Sequence, residues 1–301
     1  MTRSRHVTAL AERGFEPVRG LRFPYARLMT TTLVKSALEE DCAGNDITSI
    51  ATIVSDRSAR CTIVAREAGV IAGIPLVREA FRQRDSRVSV RSTIRDGRHV
   101  QAATPLIFIT GHARGLLSAE RVALNFLQRL SGIASLTARY VDAIKGTRAK
   151  ILDTRKTTPG WRRLEKYAVR AGGGMNHRMD LSAAVLIKDN HLAALGGDVE
   201  LAVQRARKIA PARTAVEVEC ENLDQVRAAL VAAADVIMLD NMSNAMLRQA
   251  VELVNGRAVT EASGGVTLER VRSIAETGVD WISVGALTHS AKAMDLALDF
   301  E

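Results

Sequence analysis

ILDTRKTTPG (residues 151–160), AGGGMNHRMD (171–180) and VLIKDNHL (185–192) decide the reading of this 301-residue chain. Two of these stretches begin as short apolar runs and stop abruptly in charge: Ile151 and Leu152 before Asp153, and Val185 to Ile187 before Lys188. A buried parallel strand looks this way when it delivers working side chains at its carboxyl end. Between them the segments supply Asp153, Arg155, Lys156, His177, Arg178, Lys188 and Asp189, most of which are or can become cationic. The ligand expected there is an anion.

The same pattern continues downstream. Apolar runs at 150–152, 185–187, 215–218, 236–239, 258–261 and 281–284 alternate with amphipathic stretches at 199–209, 223–233, 245–254 and 268–277. That alternation predicts a parallel α/β architecture. Each run ends in a polar group or glycine: Asp153, Lys188, Glu219, Asp240, Ser263-Gly264-Gly265 and Gly285. In a barrel these ends converge on one mouth. A doubly wound sheet would usually carry G-x-G-x-x-G after its first strand, which is missing here. The barrel is therefore favoured.

Upstream, residues 1–27 have weak periodicity and read as a basic extension, with a short helix from Leu28 to about Leu38. A β-rich region then runs to about Gly111, interrupted by a helix at 75–82. Residues 118–143 are helical in pattern, with Ser118 as N-cap and Ser131-Gly132 suggesting a break between two helices.

Glu219 and Asp240 end consecutive strands, and hard carboxylates so placed suit Mg²⁺ held jointly with phosphates. Taken singly, each could equally cap a helix or pair with a lysine. Ser263-Gly264-Gly265 and Gly285 would let backbone N–H groups approach a phosphate, with His289 just beyond. Arg155 and Arg178 could clamp a carboxylate in bidentate fashion, while Lys156 and Lys188 act as point charges.

The net charge is +9, but aromatic residues make up only 4% and no run of five Lys/Arg residues occurs, so nucleic-acid binding is not expected. No apolar run reaches membrane-spanning length, so no membrane association is expected. Cys42, Cys61 and Cys220 form no C-x-x-C pair, which suggests reduced thiols in the cytoplasm.

DTRKTTPG, GGGMNHR and IKDNH, together with ARGLLSAERVALNFLQRLSGIAS, VEVE, IMLDN, ASGG and VGALTHS, resemble the quinolinate phosphoribosyltransferase family from about Leu28 onward. The resemblance implies an amino-terminal α/β sandwich (28–130), an incomplete α/β barrel (131–290) and a carboxyl-terminal helix (291–301) returning to the sandwich. It implies transfer of phosphoribosyl from phosphoribosyl pyrophosphate to quinolinate, with Mg²⁺, release of pyrophosphate and CO₂, and formation of nicotinate mononucleotide. It assigns Arg155, Lys156, His177, Arg178 and Lys188 to the substrate cations, with Lys156, His177 and Lys188 as candidates for catalytic work. Glu219 and Asp240 become metal and ribose pyrophosphate ligands; Ser263, Gly264, Gly265, Gly285 and His289 become the phosphate end. Arg121 would reach the neighbouring subunit's site in a homodimer.

Two departures stand out. Ala43 and Asn45 occupy positions where the family's acidic loop would have glycine, and residues 1–27 have no family counterpart. Related enzymes from molybdenum-transport clusters are the alternative, but Asn176-His177-Arg178 with Lys188-Asp189-Asn190-His191 favours quinolinate.

Overall fold

The computed structural model describes residues 20–301, so most of the basic extension lies outside the described residues. The chain divides into two compact units. One comprises Gly20–Leu136, Arg163–Gly173 and Ala291–Glu301; the other comprises Thr137–Arg162 and Gly174–Ser290.

The first unit contains helices Arg27–Glu40, Ile47–Thr52 and Ile74–Arg84 and strands β1 (Ser58–Ala65), β2 (Gly69–Val70), β3 (Ser89–Ser92), β4 (His99–Val100) and β5 (Pro105–His112). β1, β3 and β5 form an antiparallel sheet whose other edge is the carboxyl-terminal strand Leu296–Phe300. Ile63, Ile107 and Ile109 are buried on it. The sequence expectation of a helix over 291–301 is therefore corrected. The alternating Leu296, Leu298 and Phe300 follow a strand's period of two, and this segment pairs with β1 from Ala65↔Leu296 to Cys61↔Phe300.

The expected break at Ser131-Gly132 is also absent, because a single helix runs from Ala113 to Ala143. Gly132 serves packing instead: a Cβ there would collide with the Lys292 carbonyl oxygen. Ser118 lies inside this helix rather than capping it; its hydroxyl donates to the Gly115 carbonyl and accepts from Arg84 Nε. In the acidic loop the left-handed residue is Cys42 (φ 49°), and Ala43–Asn45 form a 3₁₀ turn. Neither Ala43 nor Asn45 needs a glycine's freedom.

The second unit is built on six strands: β6 (Lys150–Leu152), β7 (Val185–Ile187), β8 (Val216–Cys220), β9 (Val236–Asp240), β10 (Val259–Ser263) and β11 (Trp281–Ser283). All pairings are parallel, in the order β6-β11-β10-β9-β8-β7. The sheet curls. Met175 bridges the outer edge of β6, yet His177, two residues later, places Nε2 3.1 Å from Glu217 on β8. In a flat sheet at about 4.8 Å per strand those positions would lie more than about 20 Å apart. Among the described residues the remaining edges, β6 and β7, do not pair, so the barrel is incomplete.

Period-two alternation sorts the barrel interior. Leu152, Ala184, Ala215, Val236, Val259 and Trp281 make its apolar base. Two residues further along the strands come Glu217, Met238, Glu261 and Ser283, and then Glu219, Asp240, Ser263 and Gly285 at the carboxyl ends. Crossover helices begin immediately beyond. Asn222 accepts from Asp224 N and Gln225 N, and Ser243 accepts from Met246 N, each satisfying first-turn N–H groups. The last strand, β12 (Leu296–Phe300), lies outside this barrel in the first unit.

Candidate active site

The carboxyl ends of the strands enclose a cleft of about 780 Å³. Arg155, Lys156, His177, Arg178, Lys188, Glu219, Asp240, Ser263, Gly264, Gly265, Gly285 and His289 all line it. The barrel residues assigned to the substrate, metal and phosphate positions thus meet in one place, while Asp153 and Asp189 do not line the cleft. Arg121 belongs to the other unit, on the long helix, where it is exposed and 4.0 Å from Glu120.

The cationic side is built by three segments. The loop after β6 carries Arg155 and Lys156, the glycine-rich segment carries His177 and Arg178, and β7 ends in Lys188. Arg178 is only 5% exposed. Its Nη1 donates to the Ala184 carbonyl, but among the described residues Nε finds no hydrogen-bond acceptor, and neither does the buried Nε of Arg155. Burial and then the neighbouring Arg155 charge hold the Arg178 guanidinium below its ordinary range, with Glu217 partly compensating. Two crowded guanidinium groups with unsatisfied buried donors make a strong carboxylate trap.

Asp153 does not line the cleft. It is fully buried, and its Oδ1 accepts from the His177 backbone N–H, anchoring the segment that presents Arg178. Asp189 is exposed and accepts from Asn190 N within the first turn of the short helix Asp189–Ala193.

Across the cleft, Lys188 Nζ lies 2.7 Å from Glu219 Oε2, and Asp240 Oδ2 accepts from Asn241 Nδ2 at 2.6 Å. Glu219 and Asp240 stand on adjacent strands with oxygens toward the cleft, a donor set that fits a hard divalent cation. Lys188 would have to release Glu219 for that oxygen to serve. Gly264 has φ +86°, and a Cβ there would run into the Asn241 side chain and lie 2.9 Å from Asn241 N. Only glycine brings this turn so close to the end of β9.

Sequence reading passes over Glu217, Glu261 and Ser283. Glu217 and Glu261 are completely buried below the cleft. Ser283 donates to Glu261 Oε1 at 2.5 Å, and His177 Nε2 lies 3.6 Å from that same oxygen. Burial pushes both carboxyls well above their ordinary range, and each is pushed further by another carboxylate. The signal was present in VEVE and TEAS: a strand's period of two places Glu217 with Glu219, and Glu261 with Ser263, on one face. Burial also pushes the Cys61 and Cys220 thiols up to about 12, so neither is a nucleophile.

The family model for the quinolinate phosphoribosyl transferase C-terminal domain matches residues 133–299, and that for the N-terminal domain matches residues 46–131. The carboxylating nicotinate-nucleotide pyrophosphorylase of Mycobacterium leprae is 45% identical over 274 residues, covering 88% of this chain and 95% of its own. The solved nicotinate-nucleotide pyrophosphorylase of Francisella tularensis superposes with a TM-score of 0.88 at 40% identity, over 92% of this chain and 98% of that one. The solved NadC of Streptococcus pyogenes gives a TM-score of 0.87 at 42% identity, over 92% of this chain and 99% of that one. The chain therefore belongs to the quinolinate phosphoribosyl transferase family.

Proposed function

We propose that this chain joins quinolinate to phosphoribosyl pyrophosphate, releasing pyrophosphate and CO₂ and forming nicotinate mononucleotide for de novo NAD synthesis. The observation that carries the reading is the pair of buried, unsatisfied guanidinium donors of Arg155 and Arg178, with Lys156 and Lys188 in the same cleft. Quinolinate has two adjacent carboxylates, and burying them requires paired, hydrogen-bonded cations.

The ring nitrogen attacks the ribosyl carbon and the bond to pyrophosphate breaks, so positive charge moves onto the pyridinium. That charge then holds the electron pair left when the 2-carboxylate departs as CO₂, and a proton takes its place. No nucleophilic side chain is required. Arg155 and Arg178 hold the dicarboxylate; Lys156 and Lys188 supply point charge. Ser263, Gly264, Gly265, Gly285 and His289 receive the phosphate end. Glu219 and Asp240 would hold Mg²⁺, which when bound neutralises the pyrophosphate. The protein works as a homodimer in the cytoplasm, with Arg121 completing the partner's site.

Purified protein given quinolinate, phosphoribosyl pyrophosphate and Mg²⁺ should release CO₂ and nicotinate mononucleotide in equal amounts. No turnover there, with turnover on nicotinate, would overturn the reading. For the shared site, mixing inactive Arg121→Ala with inactive Lys156→Ala should restore part of the activity in heterodimers.

A further inference from the structure

His177, Glu217 and Glu261, all buried, bring one nitrogen and two carboxylate oxygens within 4.8 Å of one another at the floor of the cleft. Such a trio invites a metal, but the histidine argues otherwise. His177 Nδ1 accepts the Arg178 backbone N–H at 2.8 Å, so this nitrogen carries no proton. The proton of a neutral ring then sits on Nε2, the atom facing Glu217 Oε2 at 3.1 Å and Glu261 Oε1 at 3.6 Å. A protonated nitrogen donates; it does not ligate.

The same geometry gives Glu217 its purpose. It is completely buried beside Glu261, with which its carboxyl shares a side-chain hydrogen bond, and the His177 Nε2–H faces its Oε2 at 3.1 Å. Glu261 is held from the far side by Ser283. On the other side of the imidazole, Nδ1 holds the backbone of Arg178, and the Asp153 carboxylate holds the backbone of His177 itself. From the barrel interior to Arg178, Glu217 therefore stands 3.1 Å from His177 Nε2, and hydrogen bonds run on from His177 to the residue with the unsatisfied guanidinium donor.

We propose that Glu217 and Glu261, steadied by Ser283, are positioning residues that fix His177 as its Nε2–H tautomer and thereby set Arg178 for the substrate carboxylates. His177 then acts through Arg178 rather than by proton transfer, so its expected part in catalysis becomes an indirect one. The inference rests on the quinolinate reading only for its kinetic arm; the tautomer arm is independent of any substrate.

The test compares Glu217→Gln, which keeps an acceptor oxygen of the same size, with Glu217→Leu, which removes it. Glu217→Leu should raise the KM for quinolinate by about tenfold or more, the effect of one lost polar contact. The KM for phosphoribosyl pyrophosphate should stay within about twofold, since uniform damage would move both. Glu217→Gln should recover most of the loss. In the wild-type protein, ¹⁵N-imidazole NMR should show His177 protonated on Nε2 and not on Nδ1, a readout that needs no folded variant. Equal damage by Gln and Leu, an unchanged quinolinate KM in folded Glu217→Leu, an Nδ1–H tautomer, or a tightly held metal ion surviving dialysis would each overturn the proposal. If the wild-type protein itself fails to turn over quinolinate, the functional reading falls while the NMR result still judges the network.

Discussion

The two ends of the barrel treat charge in opposite ways. At the amino end, Asp280 is buried but satisfied: it accepts from Thr260 N and Oγ1 and lies 3.5 Å from Arg148. Asp235 likewise accepts from Val216 N and pairs with Arg207 at 2.6 Å. At the carboxyl end, guanidinium donors of Arg155 and Arg178 go unmatched, and Glu217 and Glu261 face one another below them. Satisfied carboxylates stabilise a fold, whereas unsatisfied buried charge is destabilising and persists where a ligand repays it. One end of the barrel holds it together, and the other carries the unmatched donors on which the proposed function rests.

That contrast is open to test from both sides. The largest effect is expected from Arg178→Ala. Losing two charge-assisted contacts worth about 1.5–3 kcal/mol each should lower kcat/KM by about a thousandfold, while circular dichroism shows a folded protein. A near-normal rate would remove Arg178 from the clamp. At the opposite end, Asp280→Ala should cost about 2–4 kcal/mol in urea unfolding, because Thr260 and Arg148 lose their acceptor. The KM values of the surviving enzyme should be unchanged.

The first unit offers a satisfied carboxylate whose contribution follows pH. Backbone N–H groups of His112 and Arg87, with the His112 ring, hold Asp85 at about 2 against an ordinary 3.8. Because the folded value is the lower one, its stabilisation of about 2 kcal/mol is present above pH 3.8 and lost as pH falls through about 2. Urea unfolding of wild type and Asp85→Asn should differ at pH 5 and converge near pH 2. The smallest effect is expected from Gly264→Ala. Crowding Asn241 should raise the KM for phosphoribosyl pyrophosphate by about tenfold, with the quinolinate KM little changed.

What could be read from sequence follows the same division. Strand ends and their polar termini were legible, because a buried parallel strand leaves a short apolar run that stops in charge. Lys150–Leu152 and Val185–Ile187 were located to the residue, as was the helix Val199–Ile209. Glu217 and Glu261 were not singled out: the period of two puts them on the site face, but nothing in an apolar run says what lies across the barrel. The terminal segment failed for a related reason. The helix expected there came from the resemblance alone, whereas Leu296 to Phe300 alternates with a strand's period and its long-range pairing with β1 decides the matter. Ser131-Gly132 looked like a break because glycine usually weakens a helix, whereas here close approach of the Lys292 backbone requires it.

The most direct test of the account is equilibrium binding of quinolinate by titration calorimetry, with nicotinate, which lacks the 2-carboxylate, as the comparison. If the carboxyl end is a dicarboxylate clamp, quinolinate should bind wild type about a hundredfold more tightly than nicotinate, a difference of about 2.7 kcal/mol, and Arg178→Ala should erase most of that margin. Equal affinity for the two acids, or a margin that survives Arg178→Ala, would contradict it.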